Sequence, residues 1–195
     1  MIFIAPLVEG VGETLSVERL LWRMMRATAP SQRLRVNPPI RVKSGSFLND
    51  ETERRRHVLL AAGKARPHSG TILVLLDCED DCPAQLGPRL LRDVQADAGE
   101  IPCIVVLAHR EYETWFLAAA ESLRAMDGLI DTTRAPDDPE NIRDAKGWLG
   151  RHMARRYDPI APQLLFTNRF DLQAARRVAS FDRFCRKVAA LCGSA

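Results

Sequence analysis

The segment IFIAPLVEGVGE, residues 2–13, decides the fold: seven apolar residues run without interruption into a carboxylate, Glu9, and two closely spaced glycines. An unbroken apolar run of this length suits a strand buried on both faces of a parallel sheet, whereas a strand with one wet face alternates. Glu9 then stands at the strand's carboxyl end. Gly10 and Gly12 are expected to let the backbone turn tightly into a helix whose N-terminus lies close to bound phosphate. The dinucleotide fingerprint is incomplete, since Leu15 stands where a third glycine is needed, and no P-loop lysine follows.

Outward from this segment the pattern repeats. Residues 71–76 and 102–107 are further apolar strands, and residues 39–43 form a weaker candidate. Between them Val17, Leu20, Leu21, Met24 and Met25 recur at helical spacing, as do Leu86, Leu90, Leu91 and Val94. Asp50 followed by Glu53 resembles a capping box, so another helix is expected to run from there towards Gly63. The expectation is an α/β fold with a mostly parallel four-stranded sheet flanked by helices. After Asp127 a turn-rich stretch leads into helical patterns alone. Ile142, Ala145, Leu149 and Met153 mark one helix and Asp171 caps another. Ser180 caps a last one with the core stripe Phe181, Phe184, Val188 and Leu191. Residues 1–127 are therefore expected to form the α/β part, and residues 128–195 a helical C-terminal extension packed on it.

The composition permits one sizeable core: 195 residues, 46% hydrophobic and 27% charged. No run approaches the roughly 20 apolar residues of a spanning helix, and the N-terminus lacks a basic leader, so a cytoplasmic protein with no membrane association is expected. Five irregularly spaced cysteines read as small buried hydrophobes in a reducing compartment. Cys78 and Cys82 have the spacing of a soft-metal pair but lack a second pair or a nearby histidine to complete it. A net charge of +3 is too mild to identify a nucleic-acid partner. Its distribution says more, because nine Lys and Arg residues between Arg33 and Arg66 face only Asp50, Glu51 and Glu53. That stretch is a candidate basic surface, or more blandly a solvated helix face laced with ion pairs.

In a parallel sheet, loops leaving the strands' carboxyl ends gather at one edge. Here those loops are acidic: Glu9 after the first strand, then Asp77, Glu79, Asp80 and Asp81, then Glu111 and Glu113. Carboxylates gathered at several ångströms repel one another unless a cation or basic groups neutralise them. Oxygen donors suit Mg²⁺ or Mn²⁺ rather than zinc. Glu9, Asp77, Glu79, Asp81, Glu111 and Glu113 are therefore the candidate metal ligands. Glu111 and Glu113 are candidates to complete a second metal position, roughly 4 Å from the first. If a helix begins at Glu111, residues i and i+2 diverge and only one ligates; Glu111 is favoured because it lies nearer the strand tip, and Glu113 is otherwise an exposed helix residue or a salt-bridge partner. Arg41, Lys43 and Lys146 are candidates for phosphate or nucleic-acid contact. Trp115 and Trp148 have base-stacking potential, but their helical setting reads as core.

A strand ending in Glu9-Gly10, followed two units later by one ending in Asp77-Cys78-Glu79, resembles the TOPRIM domain of topoisomerases, primases and the overcoming-lysogenization-defect nucleases. Glu79 stands where that pattern has a second aspartate, with Asp80 and Asp81 beside it. The whole chain is similar to the domain of unknown function 4276 family, a TOPRIM-like group. The similarity runs through residues 7–13, the Asp77 cluster, Arg110-Glu111-Tyr112-Glu113-Thr114-Trp115-Phe116-Leu117, residues 144–149 and residues 180–184. It implies Mg²⁺-dependent phosphoryl chemistry, with Glu9 as general acid or base and Asp77 with Glu79 as metal ligands, all three catalytic. The implied function is a nuclease on DNA or RNA, working with an AAA- or ABC-type ATPase partner in a defence or repair system. Only two tyrosines, Tyr112 and Tyr157, are present, with no strand-passage domain around them, which argues against a topoisomerase. The rivals are a non-catalytic subunit that docks on an ATPase and a small-molecule phosphatase, which would not need the basic stretch.

Overall fold

The computed structural model describes residues 1–124, 128–153 and 157–193. Its centre is β1 (Ile2–Val8), buried along its whole length, followed by α1 (Val11–Thr28). The edge position beside β1 is shared by two short pieces, β2 (Leu34–Val36) and β3 (Ile40–Arg41). After α2 (Ser44–Asn49) and α3 (Glu51–Ala65) the chain enters β4 (Thr71–Asp77), α4 (Pro83–Ala98) and β5 (Cys103–Ala108). Every strand pair is parallel and the order is β2-β1-β4-β5, with β3 also on β1. The sheet therefore has five strands rather than the expected four. The additional one, β2, is three residues long with a half-polar sequence, too short for a period to show.

Pro6 explains why that edge is split. The bonds Asn37 N to Ile4 O and Val42 N to Val8 O place even-numbered residues of β1 towards β2 and β3. Pro6 would face the same way but has no N–H to give. The edge strand breaks opposite it, at the equally donor-poor Pro38-Pro39.

Strand parity sorts the core into two layers. Ile2, Ile4 and Val8 join Leu73, Leu75, Val106 and Ala108 on the face covered by α1. Ala5, Leu7, Ile72, Val74, Leu76, Val105 and Leu107 meet Val58 and Ala62 of α3 and Leu86, Leu90 and Val94 of α4 on the other. The connection through α1 runs outward to β2, and that through α3 runs back across to β4. Right-handed crossovers in opposite directions place their helices on opposite faces. The molecule is a Rossmann-like α/β fold with helices on both sides.

The α1 layer is completed by the chain beyond β5: α5 (Thr114–Ala118), α6 (Ala145–Arg151), α7 (Ala161–Arg169), α8 (Leu172–Ala175) and α9 (Ala179–Gly193). Trp115, Phe116, Phe166, Phe170, Phe181 and Phe184 form one buried aromatic cluster continuous with β1 and β4. Asp127, the expected boundary, lies outside the described residues. Asp50, Asp144 and Asp171 cap α3, α6 and α8. Ser180 does not cap α9 as expected; it lies inside the helix and its hydroxyl accepts from Trp115 Nε1 at 3.0 Å. Among the described residues no helix is long and apolar enough to cross a membrane.

Candidate active site

Connections leave β1 and β4 in opposite directions, so the gap between their carboxyl ends is the switch point where open α/β sheets bind ligands. The strands deliver Glu9 and Asp77 to that gap, one residue past Val8 and two past Leu75, which are partners across the ladder. Both line a cleft of about 680 Å³, together with Glu13, Glu79, Glu111, Lys146 and Gln163.

Each carboxylate is held differently. Glu9 Oε1 accepts from Ser44 Oγ at 2.5 Å, and its Oε2 is buried without a hydrogen-bond partner. Asp77 Oδ1 accepts from the backbone N–H of Tyr112 at 2.8 Å. Burial pushes the Asp77 carboxyl well above the usual range; Glu113, Glu13 and Glu9 push the same way and Lys146 opposes them. Glu13 is buried in the first turn of α1 and accepts from Gln163 Nε2 of α7 at 3.0 Å.

Gly12 serves that contact rather than a turn. Its φ is not positive, but a Cβ there would lie 2.0 Å from the Pro159 carbonyl oxygen and 1.5 Å from Gln163 Oε1. The glycine lets α7 approach the start of α1. Glu13 and Gln163 are site residues that reading by strand ends missed. Glu13 belongs to the acidic run that follows the first strand, in the first turn of α1, and was readable there, whereas Gln163 carries no such signal.

The expected divergence of Glu111 and Glu113 does not occur. Helix α5 starts only at Thr114, and the preceding turn aims both carboxylates at Lys146 Nζ, at 3.3 and 3.2 Å. Glu113 is fully buried, accepts from Tyr157 Oη at 2.9 Å, and lies beneath the cleft rather than on its wall. Burial also raises its carboxyl above the ordinary value. For Lys146 burial pulls the ammonium down, but Glu113, Asp77 and Glu111 outweigh it and the net shift is upward. The ammonium expected to meet phosphate is thus engaged as an internal counter-ion.

Other expected residues lie further out. Asp81 is exposed and faces a separate depression with Cys82, Gln85 and Arg89. Lys43 is exposed in a pocket beside α2 and α3, while Arg41 donates from Nε to the Glu9 carbonyl at 3.1 Å. Much of the basic stretch is occupied internally: Arg54 pairs with Asp97 at 2.9 Å, Arg56 with Glu53 at 2.7 Å, and Lys64 donates to the Pro38 carbonyl. Cys78 is packed in the core and Cys82 is exposed, both as free thiols. Trp115 is fully buried, and Trp148 stacks on His152 with ring centres 3.9 Å apart.

Among the described residues no three His, Cys, Asp or Glu side chains close into a cation cage. Mg²⁺ does not require one, because it is commonly held by one or two carboxylates and keeps water or substrate phosphate oxygens in its other positions. Carboxylates with no histidine or cysteine among them, one with a buried, unpartnered oxygen, fit that mode. That set lacks the imidazole nitrogen and thiolate sulfur donors that zinc favours.

No curated protein and no solved structure matches the chain. A family match does exist and covers the cleft, the sheet from the end of β1 onwards, and most of the C-terminal helices. The chain belongs to the family described as domain of unknown function (DUF4276), which it matches over residues 8–189.

Proposed function

We propose that the cleft is a Mg²⁺- or Mn²⁺-dependent phosphoryl-transfer site of TOPRIM type, acting as a nuclease on DNA or RNA. The observation that carries this reading is the meeting of Glu9 and Asp77 at the switch point, with Glu9 Oε2 buried and unpartnered. Asp77 and Glu79 would hold the cation. Bound there, it neutralises phosphate charge and activates water. Glu9, anchored through one oxygen by Ser44, has its other oxygen available to take and return a proton. Tyr112 N–H fixes the Asp77 carboxylate, and Gln163 fixes Glu13 behind it. Lys146 keeps Glu111 and Glu113 compensated, so the acid wall survives without further cations.

The test is incubation of the purified protein with plasmid, single-stranded DNA or RNA and Mg²⁺ or Mn²⁺. Cutting that disappears in both Glu9→Gln and Asp77→Asn is expected. Inactivity with every metal and substrate would overturn the reading, as would activity surviving in both variants.

One observation favours a second reading, a non-catalytic subunit docking on an ATPase: the Lys146 ammonium already supplies part of the charge that a metal would bring. Calorimetric titration with Mg²⁺ separates the two. A docking subunit gives no heat that Asp77→Asn removes.

A further inference from the structure

One wall of the cleft is basic, and its cations share a single exposed carboxylate. Arg110 leaves the end of β5 and Arg143 precedes α6, yet both reach Asp80. Arg110 Nη1 is hydrogen-bonded to Asp80 Oδ1, and Arg143 approaches the same carboxylate at 3.4 Å. The three residues belong to the lining of the cleft that holds Glu9 and Asp77.

The arginines differ in burial, and that difference matters. The Arg110 side chain is 15% exposed and its Nε is buried with no acceptor, so the guanidinium is fixed but incompletely satisfied. Its base is held by the paired backbones of Glu79 and Arg110, which form an antiparallel bridge with φ of 45° and 69°, left-handed values that side-chain-bearing residues adopt at a cost. Asp80 is 67% exposed and Arg143 73% exposed. Ion pairs this wet are weak and readily exchanged. A phosphate group carries more oxygens than a carboxylate and matches the guanidinium fork at least as well.

We infer that Arg110 and Arg143 are the phosphate-recognition pair of the cleft, and that Asp80 is an internal stand-in for the anion that substrate phosphate displaces. The inference deepens the nuclease reading and rests on it for the identity of the anion, a phosphodiester opposite the acid wall. Asp80 is then not a metal ligand despite its place in the acidic run. It keeps the arginines apart from the carboxylates until phosphate arrives, and it lowers affinity for substrate.

Binding is measured without metal, in EDTA at low salt, with a short fluorescent oligothymidylate and separately with inorganic phosphate. The three mutated side chains, Asp80, Asp81 and Arg143, are exposed, and circular dichroism melts check that the fold is retained. Asp80→Asn is expected to tighten binding roughly three- to tenfold, and Arg143→Ala to weaken it by about tenfold, with Arg143→Lys between. Asp81→Asn removes an equal charge outside the cleft and is expected to produce no such tightening. Response of the oligothymidylate supports a phosphodiester; response of inorganic phosphate alone supports the arginine pair but overturns its assignment to nucleic acid. Unchanged or weaker binding of both probes in Asp80→Asn overturns the inference, as does equal tightening in Asp81→Asn or an unaffected Arg143→Ala. Because no metal is present, these shifts can appear even if Mg²⁺-dependent cutting does not, so the two readings fail separately.

Discussion

Asp77 is half-buried at a strand tip, where Glu113, Glu13 and Glu9 disfavour its charge and Lys146 and the Tyr112 N–H support it. Its carboxyl and that of Glu113 are both raised, burial being the first cause in each. A raised carboxyl binds more protons in the folded than in the unfolded chain, so its stabilising contribution is complete below the ordinary carboxyl value. That contribution is lost as pH rises through the folded value. Without divalent metal, the melting temperature is therefore expected to fall as pH climbs above the ordinary carboxylate range, and Asp77→Asn to flatten that fall and raise the melting temperature at neutral pH. A cation that takes the ionised form reverses the trend. At 100 times its dissociation constant it would add about 2.7 kcal/mol, or roughly 5–10 °C in a chain of this size, and Asp77→Asn should lose that gain. Scanning fluorimetry across pH, with EDTA and with Mg²⁺, reads both effects. A wild-type melting temperature that rises with pH in EDTA would contradict the assigned burial of Asp77.

At the scale of elements, two glycines in helices make opposite predictions. Gly12→Ala drives a methyl into the Pro159 carbonyl, which belongs to the backbone and cannot swing aside, so a loss of about 1–3 kcal/mol and a displaced α7 are expected. Gly63 lies inside α3 with nothing within 4 Å of the position a Cβ would take, and Gly63→Ala should stabilise by roughly 0.5–1 kcal/mol. Chemical denaturation of the two variants compares them directly; equal effects would remove the packing explanation. The same helices show what was legible in the sequence. The three long apolar strands, α1, α4 and the Asp50 cap were readable because burial on both faces, helical spacing and a side-chain cap are local signals. Strand β2 and helix α2 were not readable, being three and six residues long and stabilised by neighbours far along the chain. Glu9 and Asp77 were readable as strand-tip acids. The roles of Lys146 and Gln163 were not, since each depends on which element folds over the cleft. The turn at Glu111 defeated helix geometry because the helix begins three residues later.

For the whole molecule, the question is whether the helices after β5 are an appendage or half of the core. Trp115 packs against Phe181 and Phe184, and Phe116 against Phe166 and Phe170, with ring centres 5.2–5.6 Å apart. The same cluster contains Ile4, Leu73, Leu75 and Val106 of the sheet. Arg23 of α1 ties the layers together by donating to the Thr167 and Phe170 carbonyls, both at 2.6 Å. Burying each phenylalanine contributes roughly 1.5–3 kcal/mol. Removing all four would therefore forfeit an amount comparable with the about 5–15 kcal/mol that holds a typical domain folded. A chain ending at residue 124 also loses Lys187, whose ammonium donates to the Val105 carbonyl on the open edge of β5 at 2.8 Å, and with it a guard against strand-to-strand association. Such a fragment is expected to bind hydrophobic dye, to melt without a cooperative transition and to aggregate with rising concentration, whereas the full chain melts in one step. A sharp melt of the fragment at a temperature near that of the full chain would mean that the sheet carries its own stability and that the C-terminal helices serve the cleft alone.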